Sequence, residues 1–326
     1  MRTTLALIAI FMATDASAES LSGASSSASH SLPEGLSFPD HLFDIGGLRV
    51  WQTVYAGRSS LSGDAQQNTQ SVSASILGAT FGADKQIDDL TVAGASIGLS
   101  HQTFSSSSGN GQSDDTVLTL YGRRTIFDRA YLTVELGYGW HDVATHRPLS
   151  VFGNFSLDAG YHAHDWGGRG EAGYGFTLDS QSSIYPFFAI VGDDYRQPGY
   201  SEIASNGASL FAASYAPNTT GVTHTELGSR YYRYFALDNG WRVTLDGSLA
   251  WERELDDDPL ILASFQTSPG SSLILHGTRP AEDTVLFGLG ARLQASDKFT
   301  VGLRSDARVG VGTTILTGTA DVTYRW

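Results

Sequence analysis

The last 44 residues alternate apolar and polar side chains with a period of two, and the chain stops on an apolar position. Val285, Phe287, Leu289, Ala291 and Leu293 share one face, while Gly288, Gly290, Arg292 and Gln294 share the other. After a Ser-Asp-Lys turn the pattern resumes with Phe299, Val301 and Leu303 against Thr300, Gly302 and Arg304. A third run puts Gly318, Ala320, Val322, Tyr324 and Trp326 on one face and Thr319, Asp321, Thr323 and Arg325 on the other. Strand side chains point alternately to opposite faces, so this period dictates two-faced β-strands and excludes amphipathic helices.

The rest of the chain narrows what such a sheet can be. Residues 1–18 form a targeting segment: Arg2 is the positive region, Leu5–Ala13 a short apolar run, and Ala16-Ser17-Ala18 a small-residue cleavage site that makes Glu19 the mature start. No later stretch holds the roughly 18 consecutive apolar residues of a membrane helix. With 41% hydrophobic and 17% charged residues the chain is neither disordered nor a helical membrane protein. It has no cysteine, so no disulfide framework holds it and thiol chemistry is excluded. Its 37 glycines suit strands that bend and approach closely. A net charge of −14 argues against nucleic acid as a partner and is read as solubility charge on exposed loops.

Residues 19–45 are rich in Ser and Gly, carry Pro33 and Pro39, and read as a flexible lead-in. From residue 46 alternating segments recur, with strands expected near 47–58, 69–83, 90–104, 114–126, 130–145, 160–178, 183–196, 220–235, 240–254, 283–295, 299–308 and 315–326. Short connections alternate with longer ones, near 59–68, 105–113, 146–159, 197–219, 255–282 and 309–314. An exported chain without a membrane helix that carries about twelve such strands is expected to be an all-β, antiparallel, up-and-down transmembrane β-barrel with short periplasmic turns.

Two strands set the faces. Leu132, Val134, Leu136, Tyr138 and Trp140 oppose Thr133, Glu135, Gly137, Gly139 and His141. Trp241, Val243, Leu245, Gly247, Leu249 and Trp251 oppose Arg242, Thr244, Asp246, Ser248, Ala250 and Glu252. Trp140, Trp241 and Trp251 are therefore expected in the aromatic girdles, and Arg242, Asp246, Glu252, Arg292 and Arg304 in a wet lumen, joined by Arg169 and Glu171. Ile184–Val191 is apolar on both faces, so its faces stay unassigned.

Several stretches resemble the C-terminal translocator β-barrel domain of bacterial autotransporters, the type V secretion family. These are Val50-Trp51-Gln52, the run Leu136-Gly137-Tyr138-Gly139-Trp140-His141-Asp142, and Arg169–Phe176 (RGEAGYGF). Ala250–Leu255 (AWEREL) with Ala263-Ser264-Phe265 and Pro269-Gly270-Ser271, and the closing Val322-Thr323-Tyr324-Arg325-Trp326, complete the set. The resemblance covers residues 46–326. It implies a bacterial outer-membrane barrel that carries a passenger polypeptide. It also implies that Val322, Tyr324 and Trp326 form an assembly signal for the barrel-assembly machinery, reached with periplasmic chaperones. Family members place a large passenger before the barrel, joined by a lumen-threading helix. Here only residues 19–45 lie between the cleavage site and the first strand, and their prolines interrupt a helix. The expectation is a passenger that is absent, truncated or encoded elsewhere. A passive pore, a surface adhesion protein and a barrel-borne hydrolase remain the alternatives.

Candidate chemistry is sparse. His162 and His164 share a face beside His141, Asp142 and Asp165, which would permit a metal site or a proton relay. Ordinary polar residues of a barrel rim explain them as well, because a site needs convergent ligands. Asp256-Asp257-Asp258 could draw a divalent cation but reads as a solvated acidic loop. No nucleophile elbow or H-E-x-x-H motif is assigned, and no catalytic, cofactor or metal residue is expected.

Overall fold

Alternating strands with one apolar face must hide that face, and here they turn it outward. The computed structural model describes residues 47–64, 69–127, 129–149, 155–205, 208–255, 260–278 and 280–326. The targeting segment 1–18, the lead-in 19–45 and Asp256–Asp258 lie outside the described residues. Among the described residues no helix is long and apolar enough to cross a membrane; the crossing is made by strands.

Twelve long strands, each antiparallel to its neighbours, form the wall. They are β1 (Leu48–Leu61), β2 (Val72–Asp88), β3 (Thr91–Ser106), β4 (Asn110–Phe127), β5 (Ala130–Leu149) and β6 (Phe155–Tyr174). The second half is β7 (Ser182–Gln197), β8 (Asn218–Ala236), β9 (Arg242–Glu254), β10 (Asp283–Gln294), β11 (Phe299–Gly310) and β12 (Thr313–Arg325). The barrel closes where β12 pairs β1 over 13 residue pairs, from Arg49↔Arg325 to Leu61↔Thr313. The Trp326 N–H then donates to the Leu48 carbonyl at 3.1 Å. The outer end of β6, beyond the reach of β7, is capped by the short strand Ile203–Ala204, which pairs Asp158 and Leu157.

Leu136, Leu245, Leu289 and Leu303 point outward and are exposed, whereas Glu135, Asp246 and Glu252 point inward and are buried. Trp140, Trp241 and Trp251 also lie on the outer surface. Trp251 follows Trp241 by ten positions along a straight strand. At about 3.4 Å per residue and a tilt near 40°, the pair spans about 26 Å, the height of a membrane-facing apolar band.

The strand with unassigned faces, β7, turns Tyr185, Phe187, Ala189 and Val191 inward and Ile184, Pro186, Phe188 and Ile190 outward. Its inward residues pack against Ala250 and Leu286, so this sector of the lumen wall is apolar. Inward aromatics elsewhere lie across glycines of the next strand. A Cβ on Gly82 would overlap the Trp51 indole, and one on Gly173 the Tyr131 ring.

The ends of the strands depart from the sequence expectation. The sixth strand begins at Phe155 rather than 160, and the fourth at Asn110 rather than 114. The outer end of β4 is polar and carries no hydrophobic period, whereas that of β6 keeps the alternation through Phe155, Leu157 and Ala159. The connection expected as a long loop at 309–314 is the two-residue turn Val311-Gly312, with Gly312 at φ 71°. At the periplasmic end, the Gln181 N–H donates to Asp179 at 2.7 Å and holds that exposed carboxyl below the usual carboxylate range.

Leu245 faces lipid near mid-depth, and Thr317 faces the lumen directly opposite Asp306. Leu245→Arg is expected to cost about 2–4 kcal/mol in a urea unfolding titration in lipid. Thr317→Arg is expected to cost well under that. A larger loss at Thr317 would invert the assignment of faces.

Candidate functional site

The strands aim charged side chains into the barrel, where many pair with opposite charges on other strands. Near the periplasmic end, Arg49 on β1 donates to Asp84 on β2 from Nε at 2.8 Å and from Nη2 at 2.7 Å. Asp84 also accepts from the Tyr121 hydroxyl at 3.1 Å, which itself accepts from Trp51 Nε1 at 2.8 Å.

At mid-height Glu171 on β6 is the hub. It accepts from Tyr131 Oη at 2.9 Å, from both terminal nitrogens of Arg230 at 2.6 and 2.9 Å, and from Arg169 at 2.8 Å. Arg169 also forks onto Glu226 at 2.7 and 2.9 Å. Two planar guanidinium groups thus meet carboxylates bidentately, the geometry that best offsets desolvation. Arg230 also lies over the Phe187 ring at 4.0 Å.

Across the lumen, Arg304 on β11 donates to Asp246 at 2.6 Å, to Asp306 at 2.7 Å and to Ser248 at 2.7 Å. Arg308 reaches Glu252 at 2.8 Å, and Arg292 lies 3.7 Å from Asp321. A cavity of about 320 Å³ remains between these groups, lined in part by Glu135, Arg169, Glu226, Arg292, Arg304 and Arg308.

Asp246, Glu252, Arg292 and Arg304 therefore lie inside, with Arg169 and Glu171. Arg242 does not: it shares the inward parity but is the first residue of β9, exposed at the periplasmic mouth. Arg49, Asp84, Glu226, Arg230, Asp306 and Arg308 escaped the sequence reading, although Asp306 and Arg308 follow Arg304 at steps of two, the signal that marks its face. Val322, Tyr324 and Trp326 lie outward on β12, with Tyr324 edge-on to Trp326 at 5.2 Å.

The histidines divide between the faces. His141 points inward, with Nδ1 2.8 Å from Asp115 and Nε2 3.0 Å from Asp165. Both ring nitrogens face carboxylates, so neither is open to take a proton from a substrate. His162 and His164 point outward and do not join it. Gly94-Ala95-Ser96-Ile97-Gly98 does spell G-x-S-x-G, but it runs straight through β3 without the strand-to-helix turn that makes a nucleophile elbow. His224, Glu226 and Glu252 bring one ligand atom each within 4.8 Å of one another. Their carboxylates are already held by Arg169 and Arg308, so the cluster is an ion-pair hub.

The outer mouth is covered. Tyr200–Ser201, Ala213–Tyr215, Leu260–Phe265 and Ser268–His276, from the two long loops, form a separate four-stranded sheet. Its Ile261 and Leu275 pack with Leu61, Val72, Phe104 and Tyr161 of the wall. Tyr200 stacks between Tyr161 at 4.4 Å and Tyr215 at 4.7 Å. Arg147 of β5 donates to Glu202 at 2.8 Å, and Glu202 also accepts from the Ala213 N–H at 2.7 Å.

The family model of the autotransporter beta-domain matches residues 50–306. The chain belongs to that family. It is a translocator β-barrel of the bacterial outer membrane, and the β-domains of the family are transport barrels. Three solved structures share the fold of this translocator. The translocator domain of the autotransporter NalP from Neisseria meningitidis has a TM-score of 0.75 at 17% identity, covering 96% of this chain and 99% of that one. The beta domain of the Bordetella autotransporter BrkA gives 0.63 at 18%, covering 86% and 100%. The transport unit of AIDA-I from Escherichia coli gives 0.57 at 12%, covering 90% and 96%. No curated protein matches the chain.

Removing Glu171 takes from Arg230 its carboxylate and leaves it beside Arg169, which keeps Glu226, so Glu171→Ala is expected to destabilise the translocator by about 3–5 kcal/mol. Removing Arg230 as well should restore part of that loss. The unfolding midpoints of both variants in detergent measure it. Equal loss in the single and double variants would place the energy outside the pair.

Proposed function

We propose that the barrel passes its passenger through the lumen in a state in which the lid sheet has moved off the outer mouth, and that it does so without catalysing a reaction. The carrying observation is a lumen of paired charges beneath a separate lid sheet packed on the wall. An unfolded chain needs a wet path, which arginines and carboxylates line. At rest a permanent opening would leak, which the lid prevents. The same lid argues against a passive, always-open pore. Residues 1–18 are read as the export signal and residues 19–45 as the lead-in on the passenger side of the barrel.

An epitope inserted after Ala18 in the full chain tests this. It is expected to be accessible to antibody on intact cells. Ser156→Cys with Ser205→Cys should trap it until reductant is added, because Ser205 Oγ lies 2.9 Å from Ser156 Oγ on the wall, in the loop that carries two lid strands. Accessibility only after permeabilisation overturns passage through the lumen. Accessibility unaffected by the disulfide overturns movement of the lid alone.

Val322, Tyr324 and Trp326 are read as the assembly signal for the barrel-assembly machinery, with periplasmic chaperones holding the strand before insertion. The physical reason is that β12 must find β1, or both edges expose backbone groups that lipid cannot solvate. Deleting Trp326 is expected to lower the heat-modifiable folded fraction in the outer membrane sharply, and Trp241→Ala to lower it little. Equal fractions on gels of unheated samples would reject a special role for the terminus.

A further inference from the structure

Glu202 lies between Tyr200–Ser201 and Ile203–Ala204, in the long loop that joins β7 to β8, and is only 5% exposed. A carboxylate hidden to that degree must be paired. The cation that pairs it belongs to the wall. Arg147, near the outer end of β5, turns inward and is 2% exposed. Its Nε donates to Glu202 Oε1 at 2.8 Å and its Nη2 donates to Oε2, the two-pronged fork of a planar guanidinium on a carboxylate. Nη2 also lies 3.4 Å from the Phe211 carbonyl oxygen, farther along the same loop. Leu149 follows Arg147 on the same face, and Leu157 of β6 is its partner in the ladder. Both are buried with Ala212, so the fork sits in apolar surroundings, where charge attracts more strongly than in water.

Glu202 is also where the two lid loops are tied together. Its N–H donates to the Ala213 carbonyl at 2.9 Å, and its Oε2 accepts from the Ala213 N–H at 2.7 Å. Gln266, in the loop that joins β9 to β10, donates from Nε2 to the carbonyl oxygens of Glu202 at 2.7 Å and Ala213 at 3.1 Å. The Gln266 N–H donates to the Ala212 carbonyl at 2.9 Å. These bonds lie within the lid and survive its movement in one piece. The fork does not, because Arg147 stays with β5. The pairing of Ile203–Ala204 with β6 and the apolar contacts of Ile261 and Leu275 hold the lid as well. Apolar contact has no direction and tolerates sliding. Two parallel bonds to one guanidinium tolerate neither sliding nor rotation, so the fork fixes a single closed seat. Parting it returns both charges to water, which offsets much of the attraction lost.

We propose that Arg147 and Glu202 are the latch of the lid, a wall-to-lid ion pair that defines the closed position and must part before the mouth opens. The inference rests on the reading that the lid moves off the mouth, and adds to it the pair of side chains that controls the movement.

The chain has no cysteine, so Ile261→Cys, at a lid position fully buried against the wall, is a single reporter. The rate at which a water-soluble maleimide labels it in the folded full chain, in detergent, measures how often the lid lifts. No passenger is needed, so the result does not depend on passage through the lumen. Glu202→Gln keeps an oxygen for the Ala213 N–H and removes the charge. It is expected to raise the rate at least about tenfold, because a hydrogen bond to a charged group is worth more than one factor of ten. Arg147→Lys keeps the charge without the fork and should raise it less. The gel shift between unheated and boiled samples should stay the same in every variant. A measurable rate that Glu202→Gln leaves unchanged overturns the latch and leaves lid movement standing. No labelling of the reporter with or without Glu202→Gln overturns lid movement and the latch together. Faster labelling that comes with loss of the gel shift reports an unfolding barrel and also overturns the latch.

Discussion

A hydrocarbon core offers a peptide group no hydrogen-bond partner, and that one constraint runs through the whole molecule. It forces β12 back onto β1 along the length of both strands. It also explains where regularity ends. Past the girdle, water can satisfy backbone groups, so the chain is free there to make a two-residue turn at Val311-Gly312 or to build a second sheet from its long loops.

Closing a sheet creates an interior that must be filled. The barrel fills it in two ways. Along β7 it uses aromatic and aliphatic side chains, with Phe187 and Ala189 against Ala250. Around Glu171, Glu252 and Asp246 it uses ion pairs. Charged pairs are poor fillers if stability alone is the aim, since hydrophobic residues of similar volume often do as well or better. Their merit is tolerance of water. Arg169, Arg230, Arg304 and Arg308 lose much of their attraction to their carboxylate partners when hydrated, but their desolvation cost falls at the same time. An apolar filling would have no such compensation, and would also bind a passing chain too firmly.

Much of this was legible in the sequence, for a physical reason. Membrane-facing positions carry an unbroken apolar signal, so all twelve wall strands and the faces of β5, β9, β10 and β12 follow from counting in twos. What was illegible lay where that signal stops. The outer end of β4 is polar on both faces and continues only because its neighbours do, while that of β6 was missed although Phe155, Leu157 and Ala159 keep the period. In β7 both faces are apolar, one against lipid and one against Ala250 and Leu286, so periodicity could not orient it. The lid was missed because Leu260–Phe265 and Ser268–His276 are short and are held by the wall rather than by a period of their own. The ion-pair network was half visible: parity identifies Arg304 and should have led on to Asp306 and Arg308, but it cannot say that Arg169 reaches Glu226 across 57 positions. Arg242 marks the opposite error, because parity sets a face and says nothing of depth.

The outer end of the barrel is covered by a separate sheet, and the way that sheet is held bears on whether it can open. Arg49, Asp84, Tyr121 and Trp51 at the periplasmic end are locked by directional bonds between wall strands, so parting them would mean deforming the wall itself. The lid adheres through apolar contact, which is non-directional, and through directional bonds to the wall, chief among them the buried Arg147–Glu202 pair. Exposing Ile261 and Leu275 would cost roughly 1.5–3 kcal/mol each, about 3–6 kcal/mol together. At about 1.4 kcal/mol per factor of ten, those two side chains alone favour the closed state by roughly 10²–10⁴ to one, and parting Arg147 from Glu202 adds to it. Such a lid stays shut at rest, yet a chain arriving from below can displace it by offering apolar side chains of its own to Leu61, Val72 and Phe104. Opening would then be coupled to the presence of cargo without any energy source at the outer surface.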